Sequence, residues 1–309
     1  MTNVAVIGAG LIGRAWSIVF ARAGFEVRLW DPAAHAIDAA MVFIADRLPE
    51  LAQAGLLQEQ PGAVLPRVRR AATLEDALEG ADHVQENGPE RVPEKKALFA
   101  ELDRLAAPQT VLASSSSGIP ASAFTESLPG RARCLIAHPV NPPYLVPVVE
   151  LCPAPWTDPA VVTRTRDLMA RAGQVPAIVN KEAQGFVLNR LQGALLAEAF
   201  RLVADGVVSP ADLDATVKHG LGLRWSFMGP FETIDLNAPG GLADYCARYG
   251  GLYADLQQQM TPRAWDPELV GKLEAARREE LPKNLHPVRQ EWRDRRLMAL
   301  LAHKAQQAE

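Results

Sequence analysis

The chain has 309 residues, enough for two domains or one large α/β domain with a sizeable core. Its hydrophobic share of 48% and charged share of 22% are ordinary globular values, and a net charge of −4 with no basic run argues against a nucleic-acid partner. Three scattered cysteines (Cys134, Cys152 and Cys246) lack the spacing of a disulfide scaffold or a metal site, and no apolar run reaches the ~18 residues of a membrane span.

Residues 4–7, Val-Ala-Val-Ile, form a continuous apolar run, the pattern of a strand buried on both faces. Gly8-Ala9-Gly10-Leu11-Ile12-Gly13 follows, and apolar residues at helical spacing then fill 11–23, with Gly24 as the stop. A second strand is expected at 26–31. Strand, glycine loop, helix and strand in quick succession make a βαβ unit. Residues 35–57 read as helix and 58–70 as irregular, with a small strand from 67. Thr73-Leu74-Glu75-Asp76 has the form of a capping box opening a short helix. Strands are expected at 81–85, 110–113, 134–137, 146–151 and 175–179, and helices at 93–105 and 159–172. Near residue 182 the character changes. Residues 185–204 form a helix apolar on most sides, read as buried. Ser209-Pro210-Ala211-Asp212 is an N-cap with proline at the first helical position. The remainder is helical and ends in a charged surface helix over 286–306. The expectation is α/β at 1–182 followed by an all-α domain at 183–309, in a protein with no targeting segment, cytoplasmic and without a membrane partner.

The glycine loop is weak evidence alone, but it follows a strand, opens a helix, and an acid ends the next strand. Gly8 allows the tight turn, Gly10 lets backbone approach a pyrophosphate, and Gly13 lets helix pack on sheet. Leu11 and Ile12 lie at the helix N-terminus, whose free N–H groups suit phosphates. Asp31 would accept from ribose hydroxyls and repel a 2′-phosphate, which favours NAD over NADP. An FAD site is the rival; one α/β domain followed by helices fits nicotinamide better. The first domain is therefore expected to be a Rossmann-type NAD-binding domain.

The second constellation is His138-Pro139-Val140-Asn141-Pro142-Pro143, with Glu150 twelve residues after the histidine. Oxidising a secondary alcohol needs a base for the hydroxyl proton and donors for the oxygen. Histidine titrates near neutrality, and its second ring nitrogen needs an orienting carboxylate. His138 ends a strand at the edge where open α/β sheets bind ligands. The proline-rich turn sends the chain back as a strand carrying Glu150, so the two can meet.

The glycine loop, Asp31, Glu90 with Lys95, the serines from Ser114 to Ser117, the His138 motif, Glu150 and Gly185-Phe186-Val187-Leu188-Asn189-Arg190 resemble, in order, the L-3-hydroxyacyl-CoA dehydrogenase family. The resemblance covers most of the chain. It implies a 6-phosphogluconate dehydrogenase-like C-terminal domain that pairs into a homodimer. It also implies an active site of Ser117, His138, Glu150 and Asn189, with Ser117 and Asn189 binding the reacting oxygen and Glu90 and Lys95 on the cofactor side. Glu90 and Lys95 read equally well as a surface pair on a helix's first turn.

His138 to Tyr144, Val148-Val149-Glu150-Leu151, Ser209-Pro210-Ala211-Asp212-Leu213-Asp214, Gly220-Leu221-Gly222-Leu223-Arg224, Gly229-Pro230-Phe231-Glu232-Thr233 through Leu236-Asn237, and Gln290-Glu291-Trp292-Arg293-Asp294 resemble the family branch containing lambda-crystallin, or L-gulonate 3-dehydrogenase. That implies oxidation of L-gulonate by NAD. Arg224 lies in an apolar stretch and would neutralise the substrate carboxylate, with Asn237 on a sugar hydroxyl; the alternative for Arg224 is a salt bridge to Glu232 or Asp235. Two other substrates stay open. A CoA ester would place its phosphates on Arg67, Arg69 and Arg70. A carnitine-like compound would use Trp225 and Tyr144 around its trimethylammonium. A non-catalytic NAD-binding structural protein is a reading of another class.

Overall fold

The apolar runs assemble into one eight-stranded sheet in the computed structural model, which describes residues 2–307. The strands are β1 (Asn3–Ile7), β2 (Glu26–Trp30), β3 (Val68–Arg70), β4 (His83–Glu86), β5 (Val111–Ser114), β6 (Cys134–Pro139), β7 (Val148–Pro153) and β8 (Val175–Ile178), in the order β3-β2-β1-β4-β5-β6-β7-β8. Neighbours run parallel except β6 and β7, which are antiparallel. Helices α1 (Leu11–Arg22), α2 (Ala34–Gln53), α3 (Pro61–Val64), α4 (Leu74–Leu78), α5 (Val92–Leu105), α6 (Ser122–Thr125) and α7 (Pro159–Arg171) connect them. The rest is helical: α8 (Leu188–Ala204), α9 (Pro210–Thr216), α10 (Gly222–Trp225), α11 (Pro230–Asp235), α12 (Gly241–Gln259), α13 (Pro267–Glu280) and α14 (His286–Ala305). The class is α/β, a Rossmann-type sheet followed by helices.

Why β1 is apolar throughout follows from its place. Val4 and Val6 enter one core, with Trp16 and Phe20 of α1, while Ala5 and Ile7 enter the other, with Phe99 and Phe124. A strand covered on both faces has no polar side to show. Thr73 caps α4 by accepting from the Asp76 N–H at 3.1 Å, and Ser209 caps α9 in the same way from Asp212.

The chain forms two compact units, Met1–Arg190 with Arg289–Glu309, and Leu191–Val288. The expected division at 182 puts everything after it in one helical domain. Here the terminal helix α14 instead packs with the sheet unit: Met298 is in its core and Leu297 and Leu301 lie against it. The charged surface helix of the sequence reading thus keeps one apolar stripe inward. Residues 1, 308 and 309 of the expected domains lie outside the described residues.

Two further expectations need correction. Helix α8 begins at Leu188 rather than 185, because Gly185 and Phe186 take positive φ of 76° and 52° and no helix passes through them. Nor is it buried: within the single chain only Val203 is, and Leu191 is exposed. An apolar helix surface signals that something covers it, yet among the described residues Leu191 and Leu195 of α8 stay exposed. No helix among the described residues is long and apolar enough to cross a membrane.

Candidate functional site

The strand order reverses between β1 and β4, and the carboxyl ends there carry the glycine loop and residues 87–90. In open α/β sheets this crevice takes the ligand. Gly8 has φ +96°, and a Cβ on it would stand 2.9 Å from the Asn87 carbonyl. A Cβ on Gly13 would fall 1.7 Å from the Gly8 oxygen, so helix and loop meet with no room for a side chain. Gly10 faces open space. The first intrahelical bond of α1 is Arg14 N–H to Gly10, which leaves the Leu11, Ile12 and Gly13 N–H groups free at the positive end of the helix. That cradle fits the pyrophosphate of NAD. Asp31 follows β2 and accepts from Ala9 N–H and Ala33 N–H, both at 2.8 Å. It therefore also braces the loop, while each oxygen keeps a second lone pair for a ribose hydroxyl.

His138 and Glu150 lie directly opposite in the β6–β7 register. His138 Nδ1 is 2.8 Å from Glu150 Oε2, and the histidine is 6% exposed. Its Nε2 has no hydrogen-bond partner among the described residues. Glu150 Oε1 accepts from the Val187 and Leu188 N–H groups, each at 2.8 Å. Burial pushes the Glu150 carboxyl up, but the His138 bond and the two backbone donors outweigh it and hold it below the usual carboxylate range. The left-handed Phe186 aims those N–H groups, and its buried ring lies 5.6 Å from the imidazole. Backbone strain of this kind persists where the surroundings over-determine it.

Ser117 follows β5, next to β6 in the sheet. Its hydroxyl is exposed, with a long 3.4 Å contact to Glu90. Asn189, in the first turn of α8, donates from Nδ2 to the Ser117 carbonyl at 2.6 Å. The structure thus brings Ser117 and Asn189 together. Glu90 Oε1 accepts from Ser116 Oγ at 2.7 Å, Ser117 N–H at 3.0 Å and Gly118 N–H at 3.1 Å. Partial burial opposes its ionisation, but these donors and the Lys95 charge leave its carboxyl below the usual range. Glu90 is the clasp of the serine loop.

Lys95 departs from both sequence readings. It is 2% exposed, hence no surface residue, and its main partner is Glu86, 0% exposed, at 2.9 and 3.1 Å. Ser114 Oγ is a third acceptor at 3.3 Å, and Glu90 lies 3.9 Å away. With its three donors engaged, Lys95 offers none to a cofactor and supports the site from below. Glu86 and Ser114 were missed from sequence, as was Gln85, whose Nε2 donates to the Ala137 carbonyl at 3.1 Å and to Ser115 Oγ at 2.7 Å. Ser115 in turn accepts from Trp16 Nε1 at 3.0 Å and donates to Asn87 Oδ1 at 2.8 Å, and so links β6, through Gln85, to α1 and residue 87. The signal was present: His83, Gln85 and Glu86 occupy a strand covered on both sides, where polar groups need partners. Burial pushes His83 down to about 4, so its ring stays neutral beside Gln85.

Arg224, in α10 of the helical unit, is exposed and has no carboxylate partner among the described residues; neither Glu232 nor Asp235 pairs with it. Asn237 is likewise exposed there. Arg67 is held by Glu59 at 2.7 Å through two nitrogens, Arg70 pairs with Asp38, and Arg69 lies 3.8 Å from Glu26. Tyr144 is buried, which removes it from any exposed aromatic cage. No cluster able to hold a metal occurs among the described residues.

Residues 3–183 match the NAD-binding domain of 3-hydroxyacyl-CoA dehydrogenase and residues 185–279 match its C-terminal domain. The lambda-crystallin homolog of Bos taurus is 45% identical over 312 residues, covering 98% of this chain and 96% of that protein. The L-carnitine dehydrogenase of Pseudomonas putida is 37% identical over 247 residues, 80% of this chain and 76% of its own. Among solved structures, a 5-formyl-3-hydroxy-2-methylpyridine 4-carboxylic acid 5-dehydrogenase, an NAD+-dependent dismutase, superposes with a TM-score of 0.86 over 100% of both chains at 29% identity.

Proposed function

The chain belongs to the 3-hydroxyacyl-CoA dehydrogenase family of NAD-dependent oxidoreductases, and from that premise we propose that it oxidises the 3-hydroxyl of a free β-hydroxy acid, L-gulonate to 3-dehydro-L-gulonate. The observation that carries the chemistry is the His138–Glu150 pair with Nε2 left open. In the neutral ring Nδ1–H donates to the carboxylate, so the Nε2 lone pair takes the substrate's hydroxyl proton. The imidazolium that forms stays 2.8 Å from an ionised Glu150. The Ser117 hydroxyl and the remaining Asn189 amide proton are donors for the reacting oxygen. NAD, when bound in the glycine-loop cradle with its ribose at Asp31, supplies the hydride acceptor.

The choice of a free acid over a CoA ester rests on charge. Arg224 is exposed with no carboxylate partner among the described residues, which suits it to a substrate carboxylate, with Asn237 for a sugar hydroxyl. Of the three arginines that a CoA phosphate would need, Arg67 is held by Glu59 through two nitrogens and Arg70 pairs with Asp38, while Arg69 stays exposed 3.8 Å from Glu26. The relative that superposes over its whole length is named for a carboxylic acid substrate. A carnitine-like substrate is less well supported, since of the expected aromatic pair Tyr144 is buried and only Trp225 is exposed.

We further propose a homodimer through the helical unit, where Leu223, Phe227, Phe231, Leu236 and Leu252 are exposed in the single chain. A cytoplasmic location is in keeping with three free cysteines. The substrate reading is tested by initial NADH formation from L-gulonate, 3-hydroxybutyryl-CoA and L-carnitine, on wild type and Arg224→Ala. Preference for gulonate, lost mainly in the variant, supports it. A preference for the CoA ester with a silent Arg224→Ala overturns it.

A further inference from the structure

The connection between the two catalytic strands is tied down at one residue. Residues 140–147 join β6 to β7, and Tyr144 stands at the middle, six residues after His138 and six before Glu150. Three elements hold it. Its ring, 1% exposed, meets Phe43 of α2 edge-on at 6.2 Å. Its carbonyl accepts from Arg22 Nη1 of α1 at 2.8 Å. Its hydroxyl donates to Asp294 Oδ2 of α14 at 3.2 Å. Asp294 is itself only 7% exposed, and its other oxygen accepts from Arg293 Nε and Nη2 at 2.8 and 2.7 Å. Met298 in the core and an Arg295–Glu50 contact of 3.6 Å seat the helix that carries it.

A phenylalanine would fill the same apolar space without a buried hydroxyl, and an alanine at 294 would avoid burying a carboxylate. A buried hydroxyl is costly unless it finds an acceptor, and Asp294, held in place by Arg293, supplies one. The pair therefore contributes location: it fixes where the tip of the connection lies relative to α14. The register that sets His138 opposite Glu150 runs through this connection. It also gives a role to Arg293 and Asp294 of the terminal Gln290-Glu291-Trp292-Arg293-Asp294 motif, for which the proposed reaction has no use.

We infer that Tyr144 and Asp294 are a positioning pair: the C-terminal helix grips the β6–β7 connection through Asp294 and keeps the His138–Glu150 base aligned. This rests on the reading of His138 as the base. The test uses the full chain as wild type, Tyr144→Phe, Asp294→Ala, Asp294→Asn and the double variant Tyr144→Phe/Asp294→Ala. The measurements are kcat and KM with L-gulonate (3-hydroxybutyryl-CoA if that is the better substrate), the NAD dissociation constant and the thermal midpoint. Tyr144→Phe and Asp294→Ala should each lower kcat about tenfold, with NAD affinity within about twofold. The double variant should be no worse than the poorer single, as for two members of one contact. Asp294→Asn, which keeps an acceptor oxygen, should recover most of kcat. Unchanged kcat with a lowered thermal midpoint would overturn the inference, as would fully additive losses. His138→Gln separates the two readings. If it abolishes turnover while Tyr144→Phe is silent, only the positioning role fails; if it leaves turnover intact, the assignment of the base fails first.

Discussion

His138 and Glu150 are cross-strand neighbours in the one antiparallel pair of an otherwise parallel sheet, with Nδ1 and Oε2 2.8 Å apart. The reversal of direction is what lets two residues twelve apart in sequence face one another. Glu150 also accepts the Val187 and Leu188 N–H groups, so one carboxylate orients the imidazole and holds the backbone that leads to Asn189.

Replacing that carboxylate should separate chemistry from binding. Glu150→Gln is expected to lower kcat by about a hundredfold or more. The glycine-loop cradle does not include Glu150, so NAD affinity should stay within about twofold. Steady-state kinetics with an NAD titration checks both numbers.

The depressed carboxyl of Glu150 also predicts an acid sensitivity. A carboxyl held below its usual value binds protons less readily folded than unfolded, so stability rises with pH across that interval. Its contribution is complete above the ordinary value of 4.5 and is lost as pH falls through the lowered one. Thermal midpoints measured downward from neutrality should fall below about pH 4.5, and more shallowly in Glu150→Gln. Equal slopes for both proteins would refute this.

Most of this was legible because the signals were periodic or local. The strand at 4–7, the glycine loop and the Thr73 and Ser209 caps are set by neighbouring residues. Lys95 was misplaced because its partner Glu86 lies on another element, and only the fold shows that both are sealed from water. Tyr144 offered an aromatic ring to the sequence reading, whereas its hydroxyl is engaged 150 residues away. The exposure of α8 was hidden for a related reason: apolarity reports a need for cover without saying what provides it.

The Lys95–Glu86 pair gives a stability prediction. Lys95→Met leaves a buried carboxylate unpaired and should cost about 3–5 kcal/mol. Glu86→Gln/Lys95→Met removes both charges and should regain a substantial part. Denaturant unfolding of the three proteins measures it, and a double variant no more stable than the single would contradict the pairing.

Glycine substitutions in the nucleotide loop should divide by geometry. Gly13→Ala forces a methyl into the Gly8 carbonyl and should weaken NAD binding at least tenfold while lowering the thermal midpoint. Gly10→Ala meets nothing within 4 Å and should leave the midpoint unchanged, so any loss of NAD affinity there reports the ligand's own approach. Calorimetry and NAD titration together distinguish the two.

The central claim is that His138 is the base of an NAD-dependent alcohol oxidation. The most direct measurement is turnover by His138→Gln, with NAD affinity and the thermal midpoint recorded on the same preparation. The account predicts wild-type folding, NAD binding within about twofold and a kcat lowered by about a thousandfold. Turnover near the wild-type rate in a variant that still binds NAD would contradict it.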